Sequence, residues 1–329
     1  MVRSIRLVVV FTTLGCGLAA DAVAQSTAGN AAKLDAKSVL DKVRHTYQNL
    51  PGYHLERVLL VQEAVSDGKP ANIAELNLTM ATGNAKPALE GRPSPAINLD
   101  RFRLGTRTKQ GEMLQVCDGR SCWSYSAAKN EYMTGTKFMD VNTSVGGSVL
   151  MAFHLFTFST LEEGLIQNAE IVRQEEVQVG KERRKCYVIE GAIQTAPLVG
   201  PSSSKKPPSP ASLGPFWLVS MLSLQGLADG GKGTRYSPWL DEKTPEGAEP
   251  TRVTLWIDQS AHIILRSKMA AQLYKRTMGT EQAQKVAVTV TDRFTTAAVE
   301  APPDDLFRFT PPEGAKEVPN AASRRDKKN

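Results

Sequence analysis

The 329-residue chain has few of the residues that build metal centres and catalytic sites, with four histidines and four cysteines. It contains no His-Glu-x-x-His pair, no Gly-x-Ser-x-Gly elbow and no glycine-rich phosphate loop. The acidic pairs Glu162-Glu163 and Glu175-Glu176 consist of adjacent residues. Their side chains diverge on a helix or strand and indicate solvated charge rather than a general acid–base pair. The sequence therefore predicts a protein that is not an enzyme and that needs no metal or cofactor.

An excess of one charge is also missing, because 40 Lys and Arg residues stand against 34 Asp and Glu, a net charge of +6. No basic stripe interleaved with aromatic residues occurs, so nucleic acid is not an expected partner. The composition is 41% hydrophobic and 22% charged, which is typical of a globular protein. It excludes collagen-like, wholly disordered and multi-span membrane chains.

Long apolar runs are absent as well, because no segment reaches the roughly 20 residues that a transmembrane helix needs. A basic start, a short apolar run over 7–14 and the small-x-small motif at 22–24 predict a secretory signal peptide over residues 1–24. A membrane anchor is the weaker alternative. Cys16 offers a second alternative, lipid anchoring, but Leu14 is one position too close to it for the usual lipobox. A cleaved signal peptide predicts a periplasmic protein.

Two further cysteines flank a turn sequence at 118–121, between strand-like runs. If Gly119-Arg120 forms the loop, Cys117 faces Cys122 in a non-hydrogen-bonded pair, where a cross-strand disulfide fits. If Asp118-Gly119 forms the loop, the two cysteines are diagonal and a bridge is disfavoured. We favour the disulfide and interpret the remaining Cys186 as a small buried apolar residue.

Residues 25–34 are expected to form a loose leader, and regular structure is expected from Asp35, which can cap a helix. Pro51-Gly52 ends this predicted helix. Its apolar residues recur at helical spacing: Val39, Leu40, Val43, Tyr47 and Leu50.

From there to residue 138 the pattern is of short strands and turns, and strands this close in sequence pair as antiparallel neighbours. Residues 148–167 predict one or two short helices, with a helix beginning at Ser159–Gln167, and strands resume after them. About ten antiparallel strands with a leading helix predict a mainly β, α+β fold. It is a curved sheet around a helical plug, because strand twist accumulates in a large sheet.

Residues 195–250 depart from the sequence around them, with Pro-, Ser- and Gly-rich flanks on either side of an apolar centre. This pattern predicts a low-complexity surface insertion. Residues 319–329 predict a disordered basic tail.

The chain has more apolar sequence than one sheet face obviously needs. LERVLLVQ and VTLWI are apolar on nearly every residue over part of their length, and SVLMAFHLFTF is apolar all round. A large ordinary core is one interpretation. The other is a cavity inside the curled sheet that accepts an acyl chain.

Several segments together resemble LolA-like periplasmic carriers of outer-membrane lipoproteins. VCDGRSCWSYSAAKNEY is similar to the Asp-Gly hairpin of that family, and LFRFTPPEGAKEV is similar to its FxFxPPxG ending. VTLWIDQSAHIILR resembles an intervening strand pair, and DAKSVLDKVRHTYQNLPGYHLE resembles the opening helix and first strand. The matches fall in the family's order across most of 35–318, which predicts a single domain over those residues.

The resemblance implies an incomplete β-barrel, an eleven-strand antiparallel sheet wrapped round a few helices with a hydrophobic cavity. It implies a periplasmic protein that shelters an acyl chain or a lipoprotein in outer-membrane lipoprotein sorting. Its partners would be inner- and outer-membrane sorting components. Sensors of the same fold imply the alternative, a regulator that acts through an anti-sigma factor or another protein contact.

The residues predicted to face the cavity are Leu76, Leu78, Met80, Trp123, Tyr125, Met151, Phe153 and Trp256. The carrier's functional Arg has a counterpart in Arg101 or Arg103, a choice that the sequence leaves open. The compact carriers lack the insertion at 195–250. Its apolar centre is either a lid, a patch that docks on a membrane or partner, or a segment packed on the sheet: Phe216, Trp217, Leu218, Met221 and Leu222.

Overall fold

The computed structural model describes residues 35–64, 70–83, 101–108, 111–136, 141, 166–193, 234–237, 249–277 and 283–320. The predicted signal peptide with Cys16, the leader and most of the insertion lie outside these residues. The same is true of nearly all of the predicted tail. The boundaries assigned to these segments therefore stay predictions.

Helix α1 spans Ala36–Gln48, as the helical spacing predicts. Val39, Val43 and Tyr47 form its buried stripe. Asp35 occupies the N-cap position in an extended conformation, but its side chain makes no capping hydrogen bond. The helix is thus stabilised by the packing of its apolar stripe rather than by a side-chain cap.

Six strands form the expected meander in the first half of the chain, each antiparallel to the next. Tight turns join the later ones, and at the turn between the fourth and fifth the Asp118 amide donates to the Ser121 carbonyl (3.1 Å). Their bounds are Gly52–Ala64 (β1), Pro70–Gly83 (β2), Arg101–Thr108 (β3), Gly111–Asp118 (β4), Cys122–Ser126 (β5) and Glu131–Gly135 (β6).

Seven further strands complete one sheet, in the hydrogen-bonded order β13-β6-β5-β4-β3-β2-β1-β12-β11-β10-β8-β7, with β9 paired to the end of β11. Every pair is antiparallel except β13 with β6, which is parallel and departs from the expected all-antiparallel sheet. Their bounds are Ile166–Val179 (β7), Glu182–Ile193 (β8), Thr234–Ser237 (β9), Thr251–Asp258 (β10), Ile264–Thr277 (β11), Ala283–Ala298 (β12) and Lys316–Glu317 (β13).

The sheet is curved and open, because its two end strands, β13 and β7, do not pair with each other. Accumulated twist curls a sheet of this width. The structure therefore confirms the predicted fold class, a mainly β protein with an incomplete β-barrel. Within the described residues, its helical part consists of α1, the single helical residue Val141 and one 3₁₀ turn.

Two segments differ from the sequence predictions. Ile166 and Gln167, predicted as the end of a helix, belong to β7, which pairs with β8, while residues 159–165 lie outside the described residues. Thr234–Ser237, inside the predicted low-complexity insertion, forms β9. It adds to β11 beyond the last residue of β11 that pairs with β10, where the edge of β11 is otherwise open.

Alternation along the strands defines two faces of the sheet. The face that carries Leu55, Leu59 and Val61 of β1 is called the inner face here, and it belongs to the same core as the stripe of α1. The backbone amide of Ile264 donates a hydrogen bond to the Tyr47 hydroxyl (3.2 Å), which ties α1 to β11. The opposite face is the outer face.

The C-terminal segment, residues 301–320, lies across the outer face of β3–β6. Its 3₁₀ turn, Asp304–Phe307, buries Phe307, and β13 extends the sheet beside β6. The Asn320 side-chain amide donates to the Thr134 carbonyl (2.7 Å). This segment is the FxFxPPxG ending that the sequence analysis singled out.

Candidate functional site: the inner face of the sheet

The inner face of β1–β5 carries rows of side chains that the strand register places next to each other. One row consists of Leu55, Met80, Leu104, Gln115 and Ser124. The next consists of Tyr53, Thr82, Phe102, Cys117 and Cys122. None of these ten residues is more than 4% exposed, so this part of the face is covered.

Helix α1 is too short to provide all of that cover. Its 13 residues span about 20 Å, whereas twelve neighbouring strands span on the order of 50 Å. Val141, a helical residue outside α1, is fully buried and belongs to the same hydrophobic cluster. The inner face is therefore shared between α1 and other parts of the chain.

The predicted disulfide is confirmed between Cys117 and Cys122, which face each other across β4 and β5 with Cα atoms 4.1 Å apart. The loop is Gly119-Arg120, the first of the two registers considered. The Asp118 carboxylate accepts hydrogen bonds from the backbone amides of Arg120 and Ser121 (both 2.8 Å), which fixes the turn. A disulfide in this position suits an exported protein.

Two polar side chains of these rows are buried without a partner. Within the described residues, neither the oxygen nor the nitrogen of the Gln115 amide makes a hydrogen bond, and the Thr82 hydroxyl makes none. Gln115 is 2% exposed and Thr82 1%. Such groups are rare in native proteins and call for an explanation.

An ion pair lies on the inner face between β1 and β12. The Arg57 guanidinium donates to the Asp292 carboxylate (Nη1 to Oδ2, 2.5 Å), and both side chains are at most 3% exposed. Phe294 lies under the guanidinium, with its ring centroid 5.7 Å from Cζ. Removing one partner of such a pair leaves the other charge buried and unpaired. A shifted pairing of β1 with β12 would also separate the two charges, so the ion pair favours the observed register.

Burial dominates the ionisation of this cluster. It raises the pKa of Tyr47 to about 12 and raises the pKa of Tyr53 as well, so both phenols are neutral at physiological pH. Burial lowers the pKa of Arg57 and raises the pKa of Asp292, while their mutual attraction opposes both shifts.

The sequence analysis missed this ion pair, although the alternation contained a signal for it. In β1, Arg57 occupies the position between Leu55 and Leu59 on the apolar face, and in β12 Asp292 follows Val290 in the same way. A single charged residue in an apolar alternation indicates a buried charge that needs a partner. Two interruptions of this kind, one by a positive and one by a negative side chain, predict a buried ion pair.

Two of the aromatic residues predicted for the cavity lie on the outer face instead. The register places Trp123 and Tyr125 on the outer face, because their neighbours Cys122 and Ser124 occupy the inner one. Phe309 packs over both rings, at centroid distances of 6.1 Å. These two side chains therefore hold the C-terminal segment and do not share a surface with Met80.

Trp256 is buried on the outer face too, since it lies opposite Arg266 of β11 and Val188 of β8. The Arg266 guanidinium stacks on its ring at 4.5 Å, and its indole nitrogen donates to the Glu175 carboxylate. Partners on three strands explain why Trp256 is covered without facing the interior.

The remaining predicted cavity residues divide into two groups. Leu78 and Met80 are buried on the inner face, and the backbone register places Leu76 on the same side, opposite Leu59. Met151 and Phe153 lie outside the described residues. The suggested lid or docking residues do so as well: Phe216, Trp217, Leu218, Met221 and Leu222.

Both candidates for the functional Arg lie on the outer face of β3. Arg101 forms an ion pair with Asp304 and lies 4.7 Å above the Phe307 ring. Arg103 donates to the Leu306 carbonyl (3.3 Å), and partial burial lowers its pKa. Both arginines anchor the 3₁₀ turn of the C-terminal segment, on the side of the sheet opposite to the inner face.

Other chemistry finds little support in the described part of the chain. Cys186 is a buried free thiol whose pKa burial raises to about 12, as expected for an apolar residue rather than a nucleophile. No group of three or more His, Cys, Asp or Glu residues in the described ranges is arranged to hold a metal ion. Among the described helices, none is long and apolar enough to cross a membrane.

Comparisons with known proteins add a likeness of fold. No family model and no curated protein matches the chain. It is similar to the solved structure of LprF from Mycobacterium bovis, with 12% identity over 85% of this chain and 97% of that chain, at a TM-score of 0.35. It is also similar to an outer membrane lipoprotein-sorting protein domain from Vibrio parahaemolyticus, with 7% identity over 79% and 90% of the two chains, at a TM-score of 0.22.

A third similar structure is a DUF1329 family protein from Desulfovibrio piger, with 9% identity over 83% of this chain and 95% of that chain, at a TM-score of 0.21. With TM-scores of 0.35 or less, these likenesses carry no argument for this chain, and its fold rests on its own sheet topology.

Proposed function

We propose that the protein is an exported, non-enzymatic binder that shelters an acyl chain, free or attached to a lipoprotein, on the inner face of its sheet. The observation that carries this proposal is the width of the apolar inner face. It extends over β1–β5, where Met80, Phe102 and Leu104 lie next to one another, and α1 alone is too short to cover it.

The energetics favour such a container. Each methylene group removed from water contributes about 0.8 kcal/mol, so an exposed acyl chain of sixteen carbons costs on the order of 12 kcal/mol. A cover made of apolar side chains can be replaced by an acyl chain at small net cost, because one apolar contact replaces another. Release then needs only the reverse exchange.

Export and delivery form the second part of the proposal. The predicted signal peptide over 1–24 and the Cys117–Cys122 disulfide favour a periplasmic location. There the protein would act in lipoprotein sorting between inner- and outer-membrane components. A regulator that acts only through protein contacts would keep the inner face permanently filled, so ligand uptake separates the two roles.

The test places a charge on either face of one strand. Met80→Glu puts a carboxylate on the inner face, whereas Asn77→Glu puts the same group on the exposed outer face of β2. We expect Met80→Glu to abolish uptake of the apolar fluorescent probe diphenylhexatriene and Asn77→Glu to retain it, with native circular dichroism in both. Equal uptake by two folded variants, or no uptake by the wild type, contradicts the proposal.

A further inference from the structure

The inner face holds one large polar side chain that an all-apolar cavity does not explain. Gln115 lies in the middle of β4, between Leu104 on β3 and Ser124 on β5. It is 2% exposed, and in the described part of the chain neither its Oε1 nor its Nε2 has a hydrogen-bond partner. No hydrogen bond joins it to the neighbouring Ser124 side chain.

An amide in this state is unusual. A primary amide carries two donor hydrogens and an acceptor oxygen, more capacity than a hydroxyl has. Buried side chains of this kind are almost always paired, with protein or with ordered water. Since methionine or leucine would fill the same position at no such cost, the amide needs a role other than packing.

We propose that Gln115 binds the polar end of an acylated ligand, and that the preferred ligand class is a primary fatty amide, whose carbonyl oxygen and syn N–H point the same way. The ligand's carbonyl accepts a hydrogen bond from Nε2, and its N–H donates to Oε1. An acyl ester supplies only the carbonyl and satisfies half of the site, and a hydrocarbon satisfies none of it. This inference deepens the proposed function and rests on it.

The neighbours of Gln115 give the ligand a direction. From Gln115 the row continues through Leu104 and Met80 to Leu55, three strand spacings or roughly 14 Å of apolar side chains. On the other side lies the hydroxyl-bearing Ser124. A chain with its head at Gln115 and its tail along this row pairs polar with polar and apolar with apolar.

The experiment measures displacement of diphenylhexatriene from the full chain by palmitamide, methyl palmitate and hexadecane. We expect wild-type affinity to fall in that order, with palmitamide roughly tenfold tighter than hexadecane, since one or two net hydrogen bonds separate them. Gln115→Met, of similar length but without polar atoms, should lose this tenfold preference and keep its hexadecane affinity. The matched control Leu114→Met makes a similar replacement at the next residue of β4, on the outer face opposite Tyr125, and should keep the preference.

Thermal unfolding without ligand provides a second readout. Removing an unpaired buried amide should leave Gln115→Met at least as stable as the wild type. A lower melting temperature would show that Gln115 is satisfied by the protein itself and would overturn the inference. Equal wild-type affinity for the three ligands overturns it without any variant, and failure of the wild type to take up diphenylhexatriene overturns the proposed function instead.

Discussion

The two faces of β3–β6 are covered in different ways. On the outer face, the C-terminal segment is held by specific contacts: Asp304 pairs with Arg101, the Leu306 carbonyl accepts from Arg103, and Phe309 packs on aromatic rings. Arg101 Nε is buried without a partner among the described residues, but the same guanidinium is paired with Asp304. On the inner face of β4, both polar atoms of the Gln115 amide are unpaired in the described part of the chain. A segment held by ion pairs and hydrogen bonds is permanent structure, whereas a face that leaves a whole amide unpaired is suited to a ligand.

The charged side chains on the two faces of the sheet also have different partners. Arg101 and Arg103, where the resemblance placed a functional Arg, both interact with the C-terminal segment. Among the described residues, the inner face carries two ion pairs, Arg57 with Asp292 and Lys275 with Glu63. The register also places Glu131 of β6 on this face. An acyl chain along the row from Gln115 to Leu55 lies on β1–β4 and does not reach β6.

The largest effect should come from the outer cover. Phe307 is 1% exposed and lies under Arg101, so Phe307→Ala should lower the free energy of unfolding by about 3–5 kcal/mol. Because the ring is on the outer face, probe affinity per folded molecule should not change. Urea unfolding and diphenylhexatriene titration measure the two quantities.

The matched control is Val318→Ala, a smaller and half-buried side chain near the far end of the same segment. It should cost well under half as much stability as Phe307→Ala. A Phe307→Ala protein of native stability that no longer takes up the probe would reverse the assignment of the two faces.

A smaller effect is expected from the disulfide, which lies on the inner face next to Phe102. The bridge closes a short loop, with five residues of sequence separation, so replacing both cysteines by alanine should cost about 2 kcal/mol. Because the bridge lies on the inner face, its removal should also weaken probe binding, whereas Phe307→Ala should not. Urea unfolding with and without reductant measures the first effect: reductant should destabilise the wild type but not the double variant.

If the double variant bound the probe with unchanged affinity, the row from Tyr53 to Cys122 would not be part of the binding surface. The free thiol of Cys186 provides the internal control. Its pKa is raised to about 12 by burial, so it should stay unmodified by thiol reagents in the folded protein.

Local patterns in the sequence were enough to predict helix α1, the meander and the hairpin register at Cys117–Cys122. Each depends on neighbours within a few residues. The parallel pairing of β13 with β6 could not be predicted, because it joins segments about 180 residues apart. Strand alternation separates Trp123 from Ser124 but does not tell which of the two faces is inner, and the position of Trp256 depends on distant Arg266 and Glu175.

The buried ion pair shows what the sequence could have revealed. Arg57 and Asp292 each interrupt an apolar alternation, and the two interruptions have opposite signs. By contrast, nothing local marks Gln115 as unpaired. Its state depends on which groups the folded sheet places around it.

The most direct test of the central claim is mass spectrometry of the lipids extracted from the protein after native purification from its own organism. The account predicts acylated molecules in near-stoichiometric amount with the wild type and with Asn77→Glu, and their loss from Met80→Glu. A wild-type protein that carries no acylated molecule and acquires none from added lipid would contradict the account.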